Sequence, residues 1–86
     1  MKISSLIYNR RIELGLTQQD LSRKLGLESP QFISNLERGK ALLPLGSVKK
    51  LSRALDVEYE ELSTMAVNEK VSAMRKKASA LEKRMR

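Results

Sequence analysis

The chain contains no cysteine, no histidine and no tryptophan. Without thiols or imidazoles there is no disulfide framework, no thiolate nucleophile, no zinc finger and no imidazole base. The carboxylates are scattered and no nucleophile–base pair can be assembled, so neither an enzyme nor a metal or cofactor site is expected. Glycine (four) and proline (two) are scarce, aromatic residues make up only 3% of the chain, and no period-two alternation signals a strand. No apolar run approaches the ~20 residues of a membrane span, and no charged-then-apolar signal opens the sequence. No membrane contact and a cytoplasmic location are therefore expected.

What is present is positive charge. The 86 residues include 17 Lys/Arg against 10 Asp/Glu, a formal net charge of +7, and 41% are hydrophobic. That is enough chain for one small domain, and its charge favours a polyanionic partner, nucleic acid first. Ribosomal-type, chaperone-like and membrane-surface proteins share such a composition, so charge alone does not choose. Its distribution is more telling. Residues 1–66 hold ten basic and eight acidic groups, and residues 67–86 hold seven basic and two acidic. A nearly balanced front must bind DNA with a few placed groups rather than with bulk charge.

Apolar residues recur at three- and four-residue spacing, which predicts helices. Ile3, Ile7 and Leu14 mark a first helix over about 4–14, capped by Ser4 or Ser5 and closed by Gly15. Thr17 caps a second helix with Asp20 in its first turn, Leu21 and Leu25 on its inner side, and Gly26 at its end. Ser29-Pro30 opens a third helix with Ile33 and Leu36 inward, stopped by Gly39. A loop over 40–44, a fourth helix around 47–55 and a short fifth over 58–66 complete the core. Leu42 and Leu43 are apolar for a loop, and fit either a cover over the core's edge or a subunit contact.

The informative unit is 17–38. Two short helices joined at Gly26, with Ser22 small where they approach, have helix-turn-helix geometry. Outward on the third helix lie Gln31, Ser34, Asn35 and Arg38, and Gln and Asn side chains can bridge adenine N6 and N7 in a major groove.

The runs LGLTQQDLSRKLG, SPQFISNLERGK and LSRALDVEYEEL resemble the Cro/C1-type helix-turn-helix family of phage repressors, bacterial regulators and related antitoxins, over about residues 3–63. The resemblance implies an all-α, five-helix lambda-repressor-like domain over 1–66. It matches Gln31, Phe32, Ser34 and Asn35 to base-reading positions. Thr17, Gln18, Arg38 and Lys40 match phosphate contacts, and Arg11 and Glu37 match a structural ion pair. Phe32 also fits the core, and Tyr8, Asn9 and Arg10 fit either a DNA-facing or a solvated surface. One departure is visible: the link from Gly26 to Ile33 is one residue longer than the family pattern, which shifts the base-facing register by up to about one position.

Val67, Val71, Met74, Ala78, Leu81 and Met85 are spaced as a heptad seam on an additional basic helix over 67–86. Under three heptads with Ala and Met in the seam is weak for a self-sufficient coil. Packing against its own domain or a partner's body is the expectation, with a frayed basic arm as the alternative. Together these features predict a cytoplasmic, nucleoid-associated bacterial or phage regulator. It would be a repressor binding double-stranded DNA as a homodimer on a pseudo-palindromic operator and acting by occlusion. An antitoxin with a protein partner at 67–86, and an interaction module without DNA binding, fit the same residues.

Overall fold

The computed structural model describes residues 1–85; Arg86, the last basic residue of the tail, lies outside them, as does the side chain of Met85, the last seam position. The described residues form five α-helices: α1 (Ile3–Glu13), α2 (Gln18–Lys24), α3 (Gln31–Glu37), α4 (Val48–Leu55) and α5 (Tyr59–Met85). A 3-10 turn, Leu45–Ser47, leads into α4. The all-α architecture expected from apolar spacing is present, with no strand among the described residues.

The core is built from the faces that helical periodicity selects. Ile7, Leu21, Ile33, Leu36, Leu51, Leu55 and Leu62 bring all five helices to one centre. Neither α2 nor α3 exceeds seven residues. Helices that short are not stable alone, so burial of these faces holds them.

Helix ends decide how α2 and α3 meet. Gly26 adopts φ +78, open to glycine and strained for other residues. The N–H groups of Gly26 and Leu27 then donate to the carbonyls of Arg23 and Ser22, each at 2.9 Å. Two otherwise orphaned carbonyls are satisfied while the chain reverses. Ser22 is completely buried at the approach, and its hydroxyl has no hydrogen-bond partner. Ser22→Ala is therefore expected to raise the unfolding free energy by about 1 kcal/mol, because an unsatisfied buried hydroxyl is removed. Ser22→Leu should lower it by about 1–3 kcal/mol through overpacking. Urea denaturation of the two variants checks both signs.

Several sequence expectations are corrected. Neither Ser4 nor Ser5 caps α1; Lys2 stands at the N-cap without a side-chain bond. The Ile3 N–H donates instead to Glu69 Oε1 of α5 at 3.1 Å, so a distant carboxylate does the capping. Leu14 is 40% exposed, and Arg11 takes the third buried position of α1 after Ile3 and Ile7. Pro30 is the N-cap of α3 rather than its first residue, with the Ser29 hydroxyl 3.4 Å from the Gln31 N–H. Leu43 is buried in the core whereas its neighbour Leu42 is exposed.

The largest difference concerns 58–86. The short fifth helix and the additional basic helix are one continuous element, α5, of 27 residues. The break between α4 and α5 is made upstream, where Asp56 adopts the left-handed conformation at φ 53. From Lys70 to Arg84 every residue is exposed, so the seam does not pack on its own domain.

Candidate nucleic-acid interface

The site is assembled from the start of α2, the exposed side of α3 and the turn that follows. Thr17 and Asp20 form a reciprocal capping box: the Asp20 N–H donates to Thr17 Oγ1 and the Thr17 N–H donates to Asp20 Oδ2, both at 2.9 Å. The backbone N–H and hydroxyl of Thr17 hold the Asp20 carboxyl below its ordinary pKa. Such a group stabilises the fold above its unfolded value and loses that contribution as pH falls through the lowered native value. Between about pH 5 and pH 3 the thermal midpoint of the parent should thus fall further than that of Asp20→Asn, a comparison calorimetry can make.

Gln18 is half-buried, and its amide donates to Glu37 Oε1 at 3.1 Å. The same carboxylate receives Arg11 Nε at 2.7 Å and Arg11 Nη2 at 3.0 Å, while Arg11 Nη1 donates to the Leu16 carbonyl at 2.7 Å. The Arg11 and Glu37 side chains are only 9% and 5% exposed. Hydrogen bonding to Glu37 raises the Arg11 pKa against the opposing effect of burial, so the guanidinium stays charged. One carboxylate of α3 thereby fixes α1, the loop before α2 and the first residue of α2 relative to one another.

On α3 the side chains divide by face. Ile33 and Leu36 are buried, and Phe32 is half-buried against the core beside Leu25 and Leu27. Gln31 is exposed, and its amide nitrogen donates to Asn35 Oδ1 at 2.9 Å, with Arg38 Nη2 3.5 Å from the same oxygen. Ser34 and Asn35 are half-buried. The helix-turn-helix thus presents Gln31, Asn35 and Arg38 as a connected polar edge with donors and acceptors on both amides. Arg38 and Lys40 are exposed in the turn that ends α3. That turn is closed by the Lys40 N–H donating to the Asn35 carbonyl at 2.9 Å.

Two contributors escaped sequence reading. Gln19 donates to the Glu28 carbonyl at 3.2 Å and ties the longer α2–α3 link to α2. The extra residue in that link was the signal that some tie was required. Arg10 is held against the end of α4: its Nε donates to the Leu55 carbonyl at 2.8 Å. No pattern within α1 reveals a partner 45 residues away.

Comparison with known proteins agrees with this geometry. A family model described as helix-turn-helix matches residues 7–62, from the middle of α1 to Leu62 of α5. Cyanate hydratase of Aquifex aeolicus (strain VF5) is 36% identical over 64 residues, which are 74% of this chain and 42% of that protein. The chain thus spans under half the length of this curated relative. Among solved structures, a mutant of the restriction-modification controller protein C.Esp1396I superposes with a TM-score of 0.61 at 32% identity. That match covers 80% of this chain and 86% of the other.

Proposed function

The chain belongs to the Cro/C1-type helix-turn-helix family of DNA-binding transcriptional regulators, and from that premise we propose that it is a repressor that binds a pseudo-palindromic operator as a homodimer. The observation that carries the reading is the Gln31–Asn35–Arg38 edge of α3, polar and outward while Ile33 and Leu36 anchor the opposite face. Amide side chains of this kind match the donor and acceptor pattern of adenine in the major groove. Gln31 and Asn35 read bases, with Ser34 and Phe32 at the margins of the same edge. Thr17 and Gln18 meet phosphate at the start of α2, and Arg38 and Lys40 clasp phosphate beyond α3.

One α3 helix spans too few base pairs to define a site. Two protomers would set their α3 helices about 34 Å apart, one turn of DNA, and read inverted half-sites. Residues 1–66 act as the DNA-binding unit in the cytoplasm, on the nucleoid, and 67–86 as its basic appendage. Occupancy of the operator excludes polymerase.

Selecting bound sequences from random duplex DNA tests the reading, since a homodimer should recover inverted half-sites one turn apart. On the recovered site Gln31→Ala or Asn35→Ala should each cost about 1–3 kcal/mol per affected half-site, and little on random DNA. Equal losses on both DNAs would remove base reading from that residue. A second reading, an antitoxin that also holds a protein, is favoured by the exposed apolar seam of α5. Co-purification with the product of an adjacent reading frame would distinguish it.

A further inference from the structure

The far half of α5 has a face that neither the core nor the DNA reading uses. Leu62 and Ala66 are buried, and Glu69 bonds the first turn of α1, so these residues define the side of α5 turned to the domain. At 100° per residue the seam of Val67, Val71, Met74, Ala78 and Leu81 is turned roughly 100–180° away from Leu62, from the flank round to the opposite side. The exposures agree: Val67, Val71, Met74 and Leu81 are 40–64% open to solvent. An apolar stripe held away from its own domain by the Glu69 anchor has no intramolecular partner among the described residues to cover it.

The charges beside the stripe say what can. Lys70, Lys77 and Arg84 flank one edge, and Arg75 and Glu82 flank the other. Against a second copy in parallel, Lys70 meets Arg75 and only Lys77–Glu82 attracts; in antiparallel order Lys77 meets Lys77, Arg75 meets Arg75 and Lys70 meets Arg84. The antiparallel pairing sets like charges together throughout and in the parallel one attraction and repulsion balance, so the charges favour neither pairing with a second copy. DNA would satisfy the charges and leave the apolar stripe wet. A lipid surface would ask for aromatic anchors, and the stripe has none.

We infer that residues 67–84 of α5 form a docking surface for an acidic amphipathic helix of another protein, with apolar residues at its own seam and Asp or Glu along the edge that meets Lys70, Lys77 and Arg84. Helix-against-helix burial covers the stripe, and the acidic edge neutralises Lys70, Lys77 and Arg84. The surface lies outside the segment that reads DNA, so this inference and the repressor reading can fail separately.

The test uses the full chain and a labelled helical probe of about three heptads, with Leu at the seam and Glu along the edge that meets Lys70, Lys77 and Arg84. A scrambled peptide of identical composition is the control. The heptad probe should bind at least about tenfold more tightly than the scramble by fluorescence anisotropy. Val71→Ala, Met74→Ala and Leu81→Ala combined should lower that affinity by about tenfold or more while operator binding stays unchanged. Alanine preserves helix propensity, so circular dichroism should show intact helix content in this variant. Lys70→Gln with Lys77→Gln should weaken the probe similarly and flatten its salt dependence.

Equal binding of probe and scramble would overturn the inference. So would sedimentation showing self-association that the alanine variant abolishes, because a second copy would then be the occupant. Loss of binding to duplex DNA or to anionic vesicles in the Gln variant, with no binding of the probe, would make the tail a polyanion arm instead.

Discussion

Glu37→Ala should lower the unfolding free energy by about 3–5 kcal/mol, read as an earlier urea midpoint. The loss is large because the substitution strands a charge. Arg11 is buried, and a guanidinium is too strong a base to shed its proton when its partner is removed, so it cannot escape by neutralising. Its remaining bond, to the Leu16 carbonyl, satisfies one of its donors only. Gln18 loses its acceptor in the same step. For a domain of ordinary stability, about 5–15 kcal/mol in total, this variant approaches the threshold of folding. Removing both charges is a different experiment. Arg11→Met with Glu37→Leu should lie within about 1 kcal/mol of the parent, since the desolvation cost of the pair disappears along with its attraction. A double variant as unstable as Glu37→Ala would show that the pair contributes net stability, rather than only being costly to break. The contact of Arg11 with the half-exposed Tyr8 ring, at 5.5 Å, is too solvated to alter that ordering.

This pair was legible from the family resemblance, and the local features were legible from the residues alone. Thr17 with Asp20 three positions later, and Gly26 at a helix end, act through bonds spanning a few residues, so short sequence windows contain them. What escaped reading acts over long separations. Glu69 reaches back to the first turn of α1, and Arg10 reaches forward to the end of α4. Each looks like an ordinary exposed charge until the chain is folded. Leu14 misled for a related reason: it continues the apolar spacing of α1, yet the helix ends before it and the Arg11 stem fills the inner position.

The division of α5 at residue 66 was a misreading with a usable signal against it. No glycine or proline follows Gly46, so nothing local ends a helix there, and the change in charge that suggested a boundary is a change of surface rather than of backbone. On α3 the outward set was largely legible from the inward one, because burying Ile33 and Leu36 leaves Gln31 and Arg38 outside. The bond from Gln31 to Asn35, and the role of Gln19 in holding the longer link, depend on side-chain geometry that spacing does not contain.

The second large effect expected is on DNA binding. In the dimer proposed above, the groups assigned to phosphate are the neutral Thr17 and Gln18 and the charged Arg38 and Lys40, so two residues from each protomer would displace counterions. The logarithm of affinity should then fall against the logarithm of salt with a slope of about −3.6, an affinity loss of about 150-fold between 50 and 200 mM salt. Lys40→Ala should reduce the slope by about 1.8 in the dimer and weaken cognate and random DNA alike. Asn35→Ala should leave the slope unchanged and act on the cognate site. The same measurement tests the disposition of α5. If Lys70, Arg75 and Lys77 reached phosphate, the six added contacts would steepen the slope to about −9. Held by the Glu69 anchor with its seam turned outward, α5 should contribute nothing to it, and Lys70→Gln with Lys77→Gln should bind operator with the parent's salt dependence.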